Sequence, residues 1–108
     1  MESVVLTMAM HELCDASEVP TGTCKAFKID GRGIALHNVD GVFYATQDFC
    51  RHKGGSLGKG ELNGPVVICP LHGWRFDVTT GDCLTQPHCK KLRLYPTTVE
   101  DGRVLVEV

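Results

Sequence analysis

Short extended runs separated by tight turns constrain this chain more than any other feature of its sequence. Asp30–Gly31 and Asp40–Gly41 each join two such runs, and an Asp-Gly pair between alternating apolar residues is typical of a two-residue β-hairpin turn. The runs that we interpret as strands are SVVLTMAM, CKAFKID, GIALHNV, VFYATQ, PVVIC, WRFDV, LRLYPTTVE and VLVEV. Only HELCDASEV is compatible with a short helical turn. The sequence therefore predicts an all-β fold, an antiparallel β-sandwich or barrel.

Length and charge limit what such a fold can do. A chain of 108 residues is expected to form a single domain, here residues 1–108. The formal net charge of −2 gives no electrostatic reason to expect nucleic acid or an anionic membrane as a partner. No apolar run approaches the 18 or more residues of a membrane span. The start, MESVVLTMAMHEL, lacks the basic segment of a signal peptide, so we expect a cytoplasmic protein.

The chain holds six cysteines. Because the cytoplasm keeps thiols reduced, they are not expected to form a disulfide framework. Cys14, Cys24, Cys83 and Cys89 are expected to be small buried apolar side chains. Cys83 and Cys89 are near enough in sequence to suggest a bridge, but we do not expect one.

The other two cysteines each stand beside a histidine in a glycine-containing segment. FCRHKGGSL carries Cys50 and His52, and CPLHGW carries Cys69 and His72. Two thiolates and two imidazoles can bind one tetrahedral zinc ion or a cluster of two irons with bridging sulfides. The Cys50–His52 spacing is tighter than zinc-ligand pairs usually show. An iron cluster with thiolates on one iron and imidazoles on the other, the Rieske type, fits both spacings better.

Three segments, CRHKGGSL, CPLHGWRFD and TTGDC, resemble the Rieske ferredoxins, small electron carriers that serve bacterial aromatic-ring dioxygenases. The resemblance extends over essentially the whole chain. It implies an antiparallel β-sandwich with a smaller cluster-binding subdomain at about residues 47–80. It also implies one Rieske-type 2Fe-2S cluster, with Cys50 and Cys69 as sulfur ligands and His52 and His72 as nitrogen ligands.

Other branches of the resembled family differ around the ligands. Members in respiratory and photosynthetic cytochrome complexes carry a membrane anchor and two bridging cysteines, whose positions here hold Gly55 and Leu71. Terminal oxygenase subunits add a large domain with a mononuclear iron site, for which 108 residues leave no room. The remaining histidines, His11, His37 and His88, form no ligand-like pattern and are expected at the surface. A free-standing carrier is therefore predicted.

The resemblance implies a one-electron carrier rather than an enzyme. It would be a monomer that moves electrons from an NAD(P)H-dependent flavoprotein reductase to a terminal oxygenase. Transient docking is expected at the cluster end, around His52, His72, Leu71 and Pro87. Two alternatives remain: a Rieske small subunit of a larger oxidoreductase such as assimilatory nitrite reductase, and a zinc-stabilised binding module.

Residues near the predicted ligands bear on the reduction potential. High-potential relatives place a serine directly after the second His-Gly and a tyrosine two residues later, and these hydroxyls donate hydrogen bonds to sulfur. The corresponding residues here are Trp74 and Phe76, so we expect a potential at the lower end of the Rieske range. Arg51, Lys53 and Lys59 would add positive charge nearby. Whether Trp74 is core or docking surface stays open.

Overall fold

The computed structural model describes residues 9–50, 54–71 and 73–108. Strands account for most of the regular structure in these residues, with two single 3-10 turns at Ala16–Glu18 and Leu57–Lys59. In the part of the chain that is described, no helix is long and apolar enough to cross a membrane. The strands are β1 (Met10–Asp15), β2 (Cys24–Ile29), β3 (Arg32–Val39), β4 (Val42–Gln47), β5 (Glu61–Asn63), β6 (Val66–Ile68), β7 (Arg75–Asp77), β8 (Leu94–Tyr95), β9 (Thr97–Glu100) and β10 (Arg103–Glu107).

The strands form three antiparallel sheets, with the orders β1-β10-β9, β2-β3-β4-β8 and β5-β6-β7. The first two sheets enclose a core that includes Ile34 and Leu36 from β3 and Val104 and Val106 from β10, all completely buried. Burying each such side chain contributes about 1.5–3 kcal/mol. The arrangement confirms the predicted antiparallel β-sandwich.

Two hairpins build the middle of the second sheet. β2 pairs with β3 and β3 with β4 in continuous antiparallel register. At the first turn Asp30 and Gly31 have φ values of 52° and 81°, and at the second Asp40 and Gly41 have 52° and 91°. Positive φ at both central residues matches the right-handed twist of the flanking strands. Both predicted hairpin turns are confirmed.

The third sheet packs on the opposite face of the second one. Successive side chains of a strand point to opposite faces. Ala35 therefore lies away from Ile34 and packs in a second core with Val67, Phe76 and Val78. The second 3-10 turn also packs closely on the second sheet, since a side-chain carbon added to Gly58 would lie 2.6 Å from the backbone of Ala26. Only glycine allows this approach.

Some element boundaries differ from those predicted. The predicted strand SVVLTMAM lies mostly outside the described residues. HELCDASEV is helical only at Ala16–Glu18, because Met10–Asp15 pairs with β10 instead. LRLYPTTVE divides at Pro96 into two strands, since proline has no N–H to donate to a ladder. Glu61–Asn63, which pairs with β6, was not predicted within its glycine-rich surroundings.

Candidate metal centre

The first cysteine–histidine segment forms a closed loop. The N–H of Cys50 donates to the carbonyl of Gly55 at 2.7 Å, and the N–H of Gly54 donates to the carbonyl of Cys50 at 2.9 Å. Gly54 has a φ of 77°, which glycine adopts without steric cost. These two bonds turn the chain back on itself directly after the cysteine.

The second segment closes in the same way. The N–H of Cys69 donates to the carbonyl of Trp74 at 2.8 Å, and the N–H of Gly73 donates to the carbonyl of Cys69 at 2.9 Å. Gly73 has a φ of 71°. The two loops, CRHKG and CPLHG, thus share one backbone pattern in which a left-handed glycine follows the cysteine by four residues. The two loops therefore have the same backbone hydrogen bonds although their cysteine–histidine spacings in the sequence differ.

Asp48 braces the neck of the first loop. Its carboxylate accepts hydrogen bonds from the hydroxyl of Ser56 at 2.9 Å and from the N–H of Gly58 at 2.8 Å, and its carbonyl accepts from the N–H of Leu57 at 2.6 Å. The loop entrance is therefore held by both side chain and backbone. Sequence reasoning missed Asp48, because its partners lie beyond the loop and only the folded chain brings them together.

The two loops touch each other. A side-chain carbon added at Gly55 would lie 3.0 Å from the sulfur of Cys69 and 2.9 Å from Cγ of Leu71. Cys50 and Cys69 are each only 1% exposed, and neither forms a disulfide. Two buried sulfurs in abutting loops form a donor set suited to a soft metal centre.

The other predicted ligands, His52 and His72, lie outside the described residues, as do Arg51 and Lys53. Within residues 9–50, 54–71 and 73–108, no three histidine, cysteine or acidic side chains gather into a metal site. The structure thus brings the loops of Cys50 and Cys69 into contact, and the predicted ligand set of Cys50, Cys69, His52 and His72 stays a prediction.

The surroundings of the second loop are mixed in burial. Leu71 is 60% exposed, and Pro87 and Lys59 are also exposed. Trp74 is half-buried and packs against the second core, so the indole belongs at least partly to the core. Leu71 and Pro87, which were expected at the docking surface, are therefore both exposed.

Cys83 and Cys89 form a disulfide, with their Cα atoms 5.8 Å apart, a normal separation for such a bridge. The expectation of two unbridged thiols was wrong. Sequence reasoning relied on the redox compartment, whereas the bridge depends on the folded loop, in which Cys83 pairs with Phe76 and the N–H of Cys89 donates to the carbonyl of Gln86. The bridged segment is tied to the strand after the second loop, because the N–H of Leu84 donates to the carbonyl of Arg75 at 2.8 Å.

His37 is completely buried, which corrects the prediction of a surface histidine, whereas His88 is exposed and His11 is half-buried. His37 lies on the face of β3 that packs in the second core, and it pairs with Cys24 on β2. The Nδ1 atom of His37 lies 3.0 Å from the sulfur of Cys24. Cys24 is therefore a hydrogen-bonded thiol rather than a simple apolar side chain, and Cys14 alone fits the expectation of a buried apolar cysteine.

The hydrogen bonds around His37 define its tautomer. The hydroxyl of Thr46 lies 3.0 Å from the carbonyl of Gln47 and donates to it. That hydroxyl therefore accepts from Nε2–H of His37 at 2.9 Å, and Nδ1 accepts from the thiol of Cys24. Burial lowers the pKa of His37 to about 4 and raises the pKa of Cys24 to about 12. Both groups are consequently neutral near pH 7.

The fold and the paired cysteine loops define a small all-β module built around a soft metal centre. Residues 9–96 match the family model described as the Rieske [2Fe-2S] domain. The chain belongs to this family, and the match indicates a single Rieske-type [2Fe-2S] cluster, as predicted.

Relatives of similar length narrow the class further. The chain is 42% identical over 101 residues to the biphenyl dioxygenase ferredoxin subunit of Pseudomonas sp. strain KKS102, covering 93% of each protein. It matches a chain in the solved complex of reduced oxygenase and oxidized ferredoxin in carbazole 1,9a-dioxygenase with a TM-score of 0.85 and 35% identity, covering 91% of this chain and 92% of that one. A nitrite reductase small subunit from Mycobacterium tuberculosis has a TM-score of 0.83 at 23% identity, covering 94% and 96%, and shows the fold alone. The ferredoxin relatives confirm the prediction of an electron-transfer protein rather than an enzyme.

Proposed function

We propose that this chain is a soluble, cytoplasmic ferredoxin that carries single electrons from an NAD(P)H-dependent flavoprotein reductase to a terminal oxygenase. The observation that carries the proposal is the pair of buried sulfurs, Cys50 and Cys69, in two abutting loops of the same backbone pattern. Relatives that match over nearly their whole length are ferredoxin components of dioxygenase systems, which supports the same role here.

In this proposal Cys50 and Cys69 bind one iron of the cluster, and His52 and His72 bind the other. The described residues fit the group. Both sulfurs are shielded from water, and Gly55 presents no side chain toward the sulfur of Cys69. When bound, a Rieske cluster supplies a site that accepts and releases one electron. The chain's own contribution is to hold the two loops in register and to keep solvent away from the thiolates.

The cluster-binding subdomain is proposed to span about residues 47–80. Both cysteine loops fall inside this range, as does the whole of the β5-β6-β7 sheet. Partners are proposed to dock transiently beside the second loop, where Leu71 and Pro87 expose apolar surface. A carrier must release each partner after one electron, and a small, exposed contact area suits that requirement.

The alternatives have less support. The likeness to a nitrite reductase small subunit concerns the fold alone, and both cysteine–histidine pairs are intact in this chain. Gel filtration of a native extract distinguishes the two roles, since a carrier elutes as a small protein and a permanent subunit elutes with its enzyme. A zinc module is disfavoured by the match to the [2Fe-2S] family.

Reconstitution tests the proposal directly. The anaerobically purified chain is combined with the reductase and oxygenase encoded by neighbouring genes, and NAD(P)H-driven substrate oxidation is measured. Activity should require the chain and should be lost with Cys69→Ser. Cys24→Ser is the matched control, because its hydroxyl still donates to His37 and it lies outside the cysteine loops. Full activity without the chain, or with Cys69→Ser, would exclude the proposed role.

A further inference from the structure

A second polar surface lies beside the first cysteine loop. A surface pocket of about 360 Å³ is lined by Arg32, Gln47, Phe49, Arg93 and Tyr95, together with Gly31 of the first hairpin turn and Gly33 of β3. We call it the arginine pocket. Phe49 is covalently adjacent to the buried Cys50 and is itself 53% exposed. Any molecule bound here is therefore in contact with the chain segment that leads directly into the proposed cluster site.

One buried amide fixes the geometry of the pocket. Gln47 is only 3% exposed. Its side-chain oxygen accepts from the N–H of Arg93 at 2.8 Å, and its side-chain N–H donates to the carbonyl of Phe49 at 3.0 Å. The N–H of Asp48 also donates to the carbonyl of Gly33 at 3.1 Å, which ties in the strand that carries Arg32. The backbones of three chain segments are thus held together before anything binds.

The charges of the pocket are not neutralised within the described residues. Arg103, on the other sheet, forms ion pairs with Glu12 and Asp15. Arg32 and Arg93 are both exposed and form no ion pair with any residue that the structure describes. Asp30 lines a neighbouring pocket with Arg32 without pairing with it. The chain as a whole is acidic, at −2, so this local concentration of positive charge runs against its balance.

We propose that the arginine pocket is a second docking contact for the terminal oxygenase, in addition to the exposed surface at Leu71 and Pro87, and that it binds an acidic surface of that partner; this inference rests on the function proposed above. The guanidinium group binds carboxylates through two parallel hydrogen bonds. A pocket lined by an exposed aromatic ring and two arginines has the composition of an interface hot spot. The matching oxygenase surface would present carboxylates around an apolar recess that receives Phe49. Opposite charges would orient the encounter so that the first cysteine loop faces the partner.

Charge removal tests the docking site in the reconstituted system. The double variant Arg32→Gln/Arg93→Gln should raise the KM for the ferredoxin in the oxygenase reaction roughly tenfold at low salt, with kcat unchanged. The difference should shrink as ionic strength rises, because salt screens exposed charges. Arg32→Lys/Arg93→Lys keeps the charge and should restore most of the low-salt affinity. Lys28→Gln/Lys90→Gln is the matched control, since it removes two exposed positive charges outside the pocket.

Each result has a defined meaning. A failure of the parent chain to pass electrons to the oxygenase contradicts the proposed function itself. Normal transfer by the parent with an equal KM for the pocket variant and the lysine control overturns the docking site alone. A KM increase confined to the reductase reaction assigns the pocket to the reductase and also overturns the proposal. The visible spectrum and the reduction potential of each variant should match the parent, which shows that the cluster is intact.

Discussion

The buried His37 should make the stability of this protein depend on pH in a predictable way. Its ring accepts a hydrogen bond from the thiol of Cys24 and donates one to the hydroxyl of Thr46. The bond from the thiol needs the neutral imidazole, because a protonated ring has no acceptor for it. Acid therefore removes one hydrogen bond and places a charge in the core.

The size of the effect follows from the two pKa values. Burial lowers the pKa of His37 to about 4 in the folded chain, against about 6.5 for an exposed histidine in the unfolded chain. As pH falls, the unfolded chain takes up the proton first, so stability is lost from about pH 6.5 downward until the folded chain also protonates near pH 4. At 1.36 kcal/mol for each pH unit between the two values, the full loss is about 3 kcal/mol. Between pH 8 and pH 5 the loss is about 2 kcal/mol.

Thermal unfolding followed by circular dichroism at a fixed scan rate measures this. For a domain of this size, about 2 kcal/mol corresponds to a shift of the unfolding midpoint of roughly 10 °C. Between pH 8 and pH 5 the unfolding midpoint of the parent should fall by that much more than the midpoint of His37→Gln, because the amide of glutamine is uncharged at both pH values. Acid effects on carboxylates and on the cluster site are shared and cancel in the difference. His88→Gln, at an exposed position, should keep the parent's behaviour. Equal losses for the parent and His37→Gln would refute the reasoning.

Three further changes test other parts of the structure. Reducing the Cys83–Cys89 bridge, or replacing both residues by serine, should lower the free energy of unfolding by about 2 kcal/mol relative to the bridged protein. This is the loop-closure entropy for a sequence separation of 6. A thermal midpoint that dithiothreitol leaves unchanged would contradict this. Gly55→Ala should lower the iron content, because its new carbon would lie 2.9 Å from Cγ of Leu71. The double variant Gly55→Ala/Leu71→Ala should recover part of the iron. Full iron content in the single variant would show that the loops move apart to accept the added carbon. Phe76→Tyr adds a hydroxyl to a side chain that packs in the same core as Cys50 and Cys69. If that hydroxyl donates to a cluster sulfur, the reduction potential should rise by several tens of millivolts, since about 30 mV corresponds to about 0.7 kcal/mol for one electron and a hydrogen bond to a charged acceptor is worth about 1.5–3 kcal/mol. A change below about 10 mV with an intact spectrum would mean that hydrogen-bond donors do not set the potential.

The parts of the fold that depend on neighbours in sequence were predictable. Hairpins at Asp30–Gly31 and Asp40–Gly41 follow from local backbone preferences, and the strands beside them follow from alternation. The pairing of Cys24 with His37 could not be predicted, because 13 residues separate the partners and only the β2–β3 register brings them together. The hydrogen bonds of the Asp48 carboxylate could not be predicted either, because their donors lie eight and ten residues further on.

The candidate site was predictable to the extent that its chemistry is carried by a few residue types at short spacing. Cys50 and Cys69 stand out beside histidines, and the structure brings their loops into contact. The Cys83–Cys89 bridge was missed because the expectation of reduced thiols in the cytoplasm was given more weight than the short separation of the two cysteines. A bridge depends on whether the chain returns to within about 6 Å of itself, and that is a property of the folded loop.

A two-iron cluster held by the cysteine–histidine loops is the central claim, and metal analysis tests it most directly. Iron, zinc and acid-labile sulfide are quantified in protein purified without exposure to oxygen. Two irons and two sulfides per chain are expected, the composition of a [2Fe-2S] cluster. Cys69→Ser should lose both the iron and the sulfide. One zinc per chain without sulfide would contradict it.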